Sequence, residues 1–230
     1  MLNQVKSARL MLYGCCQFCS TMVLTPTSPT PILYADDGYL CHQVRLALLE
    51  KHIEFGEIDI RDSENGLEDL ADINPYNTLP VLVHRELILY QNMVIFEYLE
   101  ERYHQYKLLP ENPAERAKYR QLIWRIDQDW LKLADTLLTH PDSLDVVQAQ
   151  QARKQLSESL ITLAPLFAHQ PFFLSDKFGL CDCILASMLY RLDEMAIKLP
   201  LHLTRPLHQY MQRLFSRPTF QASLTAQLQP

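Results

Sequence analysis

Between residues 32 and 102 the hydrophobic pattern switches repeatedly between a strand period and a helix period, and after Pro113 it keeps only the helix period. Ile32-Leu33-Tyr34-Ala35 has the composition of a short buried strand, and Asp36-Asp37-Gly38 supplies turn residues after it. Residues 40–51 place Val44 and Leu48 on one face at helical spacing, and residues 54–60 alternate as a half-buried strand does. A β-α-β unit is therefore expected. A turn-rich acidic stretch leads to Asn74-Pro75 and the apolar strand Val81-Leu82-Val83, with a second strand at residues 86–90 at hairpin distance. Asn92 is expected to cap a helix running to Glu101, with Val94, Ile95, Tyr98 and Leu99 as its apolar face. The order β-α-β, loop, β-β-α is that of a thioredoxin-like domain.

Glu111-Asn112-Pro113 marks a linker. Helices are expected over residues 116–138, 146–167, near Asp182, and over 207–215, with no strand-like alternation between them. The fold class is α/β plus all-α: a thioredoxin-like N-terminal domain over residues 31–108 and a helical C-terminal domain over 114–226. At 230 residues the chain is long enough for two such cores. Residues 1–30 stand apart as an extension that is either disordered or the product of a start assigned upstream of Met22. A start at Met22 removes Lys6 and Arg9 and leaves 19 basic against 27 acidic residues.

The extension contains Cys16-x-x-Cys19 behind the apolar Leu10-Met11-Leu12, the spacing of a thiol-redox site. That chemistry needs a helix directly after the first cysteine, whose free amide groups stabilise the thiolate. Pro26, Pro29 and Pro31 preclude such a helix. Leu12-Tyr13-Gly14-Cys15 has the outline of a lipoprotein cleavage box, but its apolar core of Leu10 to Leu12 falls short of the roughly 7 to 15 residues a signal peptide requires. No second cysteine pair stands at a zinc-binding interval, and Cys181-x-Cys183 sits in an apolar helical stretch, so no metal site is expected. The spacings do not form a secreted disulfide framework either, which fits a reduced, cytoplasmic protein. No run approaches the roughly 18 apolar residues of a membrane span. The net charge of −6 argues against direct nucleic-acid binding and leaves room for a basic protein partner.

Three runs carry a resemblance: His42-Gln43-Val44-Arg45; Asn74-Pro75 with Leu79-Pro80-Val81-Leu82; and Phe96-Glu97-Tyr98-Leu99-Glu100-Glu101-Arg102. They are similar to the glutathione S-transferase family and, more narrowly, to its stringent starvation protein A branch. Similarity continues through Arg153-Lys154-Gln155-Leu156, Pro171-Phe172-Phe173-Leu174-Ser175-Asp176 and Phe220-Gln221-Ala222-Ser223-Leu224-Thr225. The resemblance implies the transferase fold with Pro80 in the cis form. It implies a homodimer that binds sigma-loaded RNA polymerase and alters promoter use under starvation or acid stress, with no catalysis and no required cofactor. In that branch the polymerase-facing surface includes a Pro-His-Pro loop after the third helix. Here Tyr103-His104-Gln105-Tyr106 occupies the place without that sequence. These four residues are candidate partner contacts; the other reading is that they only link two domains.

The alternative function is a glutathione-dependent transferase or a glutathione-binding protein. The Ser or Cys that several transferase classes use falls near Gly38 or Tyr39, and Gly38 supplies no reactive group. Tyr39, or Tyr34 on the first strand, has a hydroxyl that could polarise a thiol; the favoured reading for both is packing with the hydroxyl at the surface. Cys41 lies just inside the helix, either as a low-pKa thiol or as a small buried hydrophobe. Leu79, Pro80, Gln91 and Asn92, with Tyr39, make up the remnant of a glutathione site. Asp182 follows Gly179 at the spacing of a capping box whose Ser or Thr is missing, so it is expected to cap a helix, and its replacement by Ala to cost about 0.5 to 2 kcal/mol.

Overall fold

The computed structural model describes residues 29–62, 66–139 and 145–225, without the side chains of 66–69. Cys15, Cys16, Cys19 and Met22 lie outside the described residues, as does the extension up to residue 28. Strand β1 (Ile32–Ala35) runs parallel to β2 (Gly56–Asp59), with Ile32 opposite Gly56, and antiparallel to β3 (Val81–His84), with Leu33 opposite Leu82. β4 (Leu87–Tyr90) returns antiparallel to β3 through a turn in which Arg85 takes a left-handed conformation at φ 57°. The sheet order is β2-β1-β3-β4, and the Leu79-Pro80 bond is cis.

Helix α1 (Tyr39–Glu50) follows β1, α2 (Gly66–Ile73) follows β2, and α3 (Asn92–Arg102) follows β4. α1 buries ten of its twelve residues, including His42, Gln43, Arg45 and Glu50. A helix enclosed on every side is tolerable only if its polar groups find partners. Arg45 pairs with Glu57 on β2 and reaches the Ser223 carbonyl; Glu50 receives both arms of Arg217 at 2.8 and 2.7 Å. α1 is thus held between the sheet and the C-terminal helices by polar contacts from both.

From Pro113 onward the described elements are helical. In α4 (Pro113–Ile126), Asn112 accepts from the amides of Ala114 and Glu115 and Pro113 takes the first turn, as expected of a helix start. A π-helical turn, Asp127–Leu131, joins α4 to α5 (Lys132–Leu138), so the run expected over 116–138 is one helical path with a local widening. Then come α6 (Val146–Leu163), a 3-10 turn (Ala164–Ala168), α7 (Leu180–Leu189), α8 (Leu201–Phe215) and α9 (Pro218–Ser223). The C-terminal core packs Phe167 against Tyr210 and Phe173.

Four elements depart from expectation, one of them α9, which follows the helix expected to be the last. α2 stands where a turn-rich stretch was expected. α8 begins six residues before Leu207, because Thr204 leaves helical geometry (φ −119°, ψ 23°) and accommodates Pro206 as a kink. The cap of α3 is Gln91 rather than Asn92: its Oε1 accepts from the Val94 amide at 3.0 Å, and Asn92 is the first helical residue.

Candidate functional site

A cavity of about 720 Å³ lies between the two halves of the molecule. Leu40 and Gln43 of α1, Leu79 before the cis-proline, Gln91 and Asn92 at the start of α3, and Trp124 and Asp127 of the α4 path line it. Of the five residues of the expected remnant, Leu79, Gln91 and Asn92 line this cavity and Pro80 and Tyr39 do not. The Gln91 oxygen caps α3, and Asn92 Nδ2 donates to the Leu40 carbonyl (2.9 Å) and Gln43 Oε1 (2.8 Å), tying α3 to α1.

Gly38, one of the two positions near which the resemblance puts a transferase nucleophile, carries no reactive group. A Cβ on Gly38 would stand 2.7 Å from Asp36 Oδ1, the oxygen that accepts from the Gly38 amide at 2.8 Å. This turn fixes the chain entering α1, and a serine or cysteine at position 38 would have to displace the Asp36 carboxylate from it. Tyr39 is buried, and its hydroxyl donates to Asp135 Oδ1 at 3.4 Å across to α5. Burial, reinforced by the Asp135 and Asp127 carboxylates, pushes the phenol above its ordinary pKa. Neither Tyr39 nor Tyr34 is among the side chains lining the cavity. The Cys41 thiol is raised well above the ordinary range, chiefly by burial, and its sulfur accepts from the Asp36 amide at 3.5 Å. That is the environment of a packing residue rather than a nucleophile. Among the described residues no cluster of His, Cys, Asp or Glu could hold a metal ion, and no helix is long and apolar enough to cross a membrane.

The loop after α3 is held from both ends. Tyr103 stacks on the His84 ring (centroids 6.3 Å apart, planes 20° apart), while His84 Nδ1 meets the Tyr98 hydroxyl and Nε2 the Pro29 carbonyl. Donation from Nε2 to a carbonyl fixes the tautomer and leaves Nδ1 to accept from Tyr98. Tyr106, in a left-handed conformation at φ 51°, presents its ring edge-on to His52 at 4.4 Å. The Tyr103 side chain is half-buried, while His104, Gln105 and Tyr106 are exposed, Tyr106 by 59%. A second cavity, of about 600 Å³, opens beside the loop, with His104 and Tyr106 on one side and residues 175–179 on the other.

Asp182 does more than cap. Its Oδ2 accepts from the Gly179 amide at 2.8 Å, the capping contact, while Oδ1 accepts from the Phe173 amide at 2.9 Å and the Tyr210 hydroxyl at 2.7 Å. The missing cap side chain is replaced from a distance. Tyr119 of α4 offers its hydroxyl oxygen to the Cys181 amide at 3.0 Å, and the Leu108 carbonyl accepts from the Leu180 amide at 2.9 Å. A Cβ at Gly179 would stand 2.3 Å from that hydroxyl and 3.1 Å from the Leu108 carbonyl, which explains the glycine. Gly179→Ser is accordingly expected to lower stability by about 1 to 3 kcal/mol rather than restore a better cap. Urea unfolding checks this, and a gain in stability would contradict the assigned role of Tyr119. Sequence reading missed Tyr119, Lys51 and Glu100; no local spacing marks them, because their partners are brought near only by the fold.

Residues 40–102 match the glutathione S-transferase N-terminal domain, and residues 131–218 the C-terminal domain. The stringent starvation protein A homolog of Pasteurella multocida (strain Pm70) is 39% identical over 184 residues, which cover 80% of this chain and 84% of the homolog. The homolog of Coxiella burnetii (strain RSA 493 / Nine Mile phase I) is 36% identical over 186 residues, 80% of this chain and 86% of its own length. Among solved structures, the ternary complex of BphK, a bacterial glutathione S-transferase, superposes with a TM-score of 0.73 at 24% identity, covering 84% of this chain and 97% of the other. That last likeness is one of fold. On the identity to these homologs over most of their length, the chain belongs to the stringent starvation protein A family and has the glutathione S-transferase fold.

Proposed function

We propose that the protein is a noncatalytic transcription regulator of the cytoplasm, a homodimer that docks on sigma-loaded RNA polymerase and changes promoter use under starvation or acid stress. The observation that carries this reading is the loop after α3, where the family resemblance implies the polymerase contact. There His104, Gln105 and Tyr106 are exposed on a backbone anchored at both ends by buried side chains. An exposed aromatic held in one conformation is the kind of group that carries binding energy at an interface. The net charge of −6 favours encounter with a basic protein surface and disfavours direct contact with nucleic acid. The test is comigration of the full chain with sigma-loaded polymerase in gel filtration. Comigration is expected for the unmutated protein and its loss for Tyr103→Ala/His104→Ala/Tyr106→Ala; a mutant that still comigrates refutes the assigned contact.

A glutathione-binding reading keeps one observation in its favour, the cavity with Leu79, Gln91 and Asn92 on its wall. Catalysis is disfavoured by the glycine at position 38, which brings no reactive group, and by the Tyr39 hydroxyl directed at Asp135. Calorimetric titration with glutathione addresses binding. A conjugation rate abolished by Tyr39→Phe or Tyr34→Phe would establish the enzyme reading over the regulator.

A further inference from the structure

Lys51 and Glu100 form a buried ion pair whose remaining hydrogen-bonding capacity is aimed at the backbone of one loop. Lys51, the residue just past the end of α1, is 3% exposed; its Nζ donates to Glu100 Oε1 at 2.7 Å and to the carbonyls of Gln105 and Tyr106 at 3.4 and 3.3 Å. Glu100, in the last turn of α3, accepts from the Leu108 amide through Oε1 (3.0 Å) and the Leu109 amide through Oε2 (3.2 Å). Four backbone groups, two on each side of Lys107, are tied to one pair of side chains.

A buried ion pair is a poor means of raising stability, because removing two charges from water offsets most of their attraction. Its known use is to select one arrangement among several. The arrangement selected here includes Tyr106 at φ 51°, a conformation that a non-glycine residue keeps only where its surroundings impose it. The next residue after Lys51 completes the seat, since the His52 ring packs against the Tyr106 ring. The end of α1 therefore places one side chain under the loop backbone and the following one against its exposed aromatic.

We propose that Lys51 and Glu100 are positioning residues for partner binding, holding the backbone around Tyr106 in its binding conformation before the partner arrives. The inference rests on the reading that this loop contacts the polymerase. Ordering a loop in advance removes that cost from association, so releasing it is expected to weaken binding by about tenfold to a hundredfold. Fold and exposed chemistry stay the same.

The test measures the dissociation constant of the full chain for sigma-loaded polymerase in a cycle of four proteins: unmutated, Tyr106→Ala, Lys51→Met/Glu100→Met, and the combination. The methionine pair replaces both charges by apolar groups of similar reach. The expected result is a cooperatively folded protein whose melting temperature is lowered by the loss of the acceptors of the Leu108 and Leu109 amides, an affinity weaker by the factor above at a temperature where the variant is fully folded, and a Tyr106→Ala effect much smaller in the methionine background. Additive effects, or an unchanged affinity in the methionine variant while Tyr106→Ala still weakens binding, overturn the inference and leave the contact loop standing. If Tyr106→Ala and the triple alanine variant both bind normally, the contact reading itself fails and takes the inference with it. Should the methionine variant misfold, Glu100→Gln replaces it. That variant keeps one acceptor but leaves the Lys51 charge without its counter-ion and turns a donor toward the Leu109 amide, so a lower melting temperature is expected; at a temperature where it is fully folded, an intermediate loss of affinity supports the inference and an unchanged affinity is the contrary result.

Discussion

Asp182→Ala is expected to lower the free energy of unfolding by about 3 to 5 kcal/mol, well beyond the loss of a helix cap. The cap alone, read from its spacing to Gly179, is worth about 0.5 to 2 kcal/mol. The structure adds two donors to the same carboxyl, the Phe173 amide and the Tyr210 hydroxyl, and buries all of them. Deleting the acceptor leaves three dry donors unpaired, each at roughly 1 to 3 kcal/mol, with partial relaxation reducing the sum. Tyr210 also packs its ring against Phe167, so the damage reaches the centre of the C-terminal core. Asp182→Asn, which keeps one acceptor oxygen, should cost less. Chemical denaturation of both variants checks the order; an Asp182→Ala protein within 1 kcal/mol of the parent would refute this account of the core.

The second large effect is on acid stability and comes from His42. Its ring is fully buried between the two halves of the molecule: Nδ1 accepts from Arg191 at 3.2 Å, and Nε2 donates to the Ser223 hydroxyl at 2.7 Å, which in turn donates to the Phe220 carbonyl. Burial first, then the Arg191 and Arg45 guanidinium groups, lower its pKa to about 3. In the unfolded chain the ring titrates at about 6.5. The unfolded state therefore takes up a proton that the folded state refuses, so stability is complete above about pH 6.5 and falls as pH drops toward 3. Between pH 7 and pH 5 the loss from this one residue is about 2 kcal/mol. Urea unfolding at the two pH values should show it, and His42→Gln should flatten the difference by that amount. An equal pH dependence in the variant would place the acid sensitivity elsewhere.

How far the sequence could be read depended on the range of the forces involved. The strands and helices from Ile32 to Arg102, α2 excepted, were legible because period and turn residues are local signals; Glu111-Asn112-Pro113 read as a linker, and the structure starts a helix there at Pro113. α2 was hidden by Asp62 to Gly66, which look like a turn, although Leu67, Leu70 and Ile73 recur three residues apart. α8 was entered late because Pro206 reads as a break, and only the backbone at Thr204 shows how it is absorbed. Of the candidate site, the vacancy at Gly38 and the grouping of Leu79, Gln91 and Asn92 were visible. The committed state of Tyr39 was not, since Asp135 lies 96 residues away. Lys51 carried no role in the sequence beyond ending the helical span, and nothing near it points to Gln105 or Tyr106.

The central claim is that the Tyr103–Tyr106 loop binds polymerase, and an equilibrium titration tests it most directly. Fluorescently labelled full-length protein would be titrated with core polymerase and with sigma-loaded polymerase, alongside the Tyr103→Ala/His104→Ala/Tyr106→Ala variant at matched melting temperature. The account predicts saturable binding to the sigma-loaded enzyme, weakened at least tenfold by the three substitutions. No binding by the folded, unmutated protein, or equal binding by the variant, would contradict it.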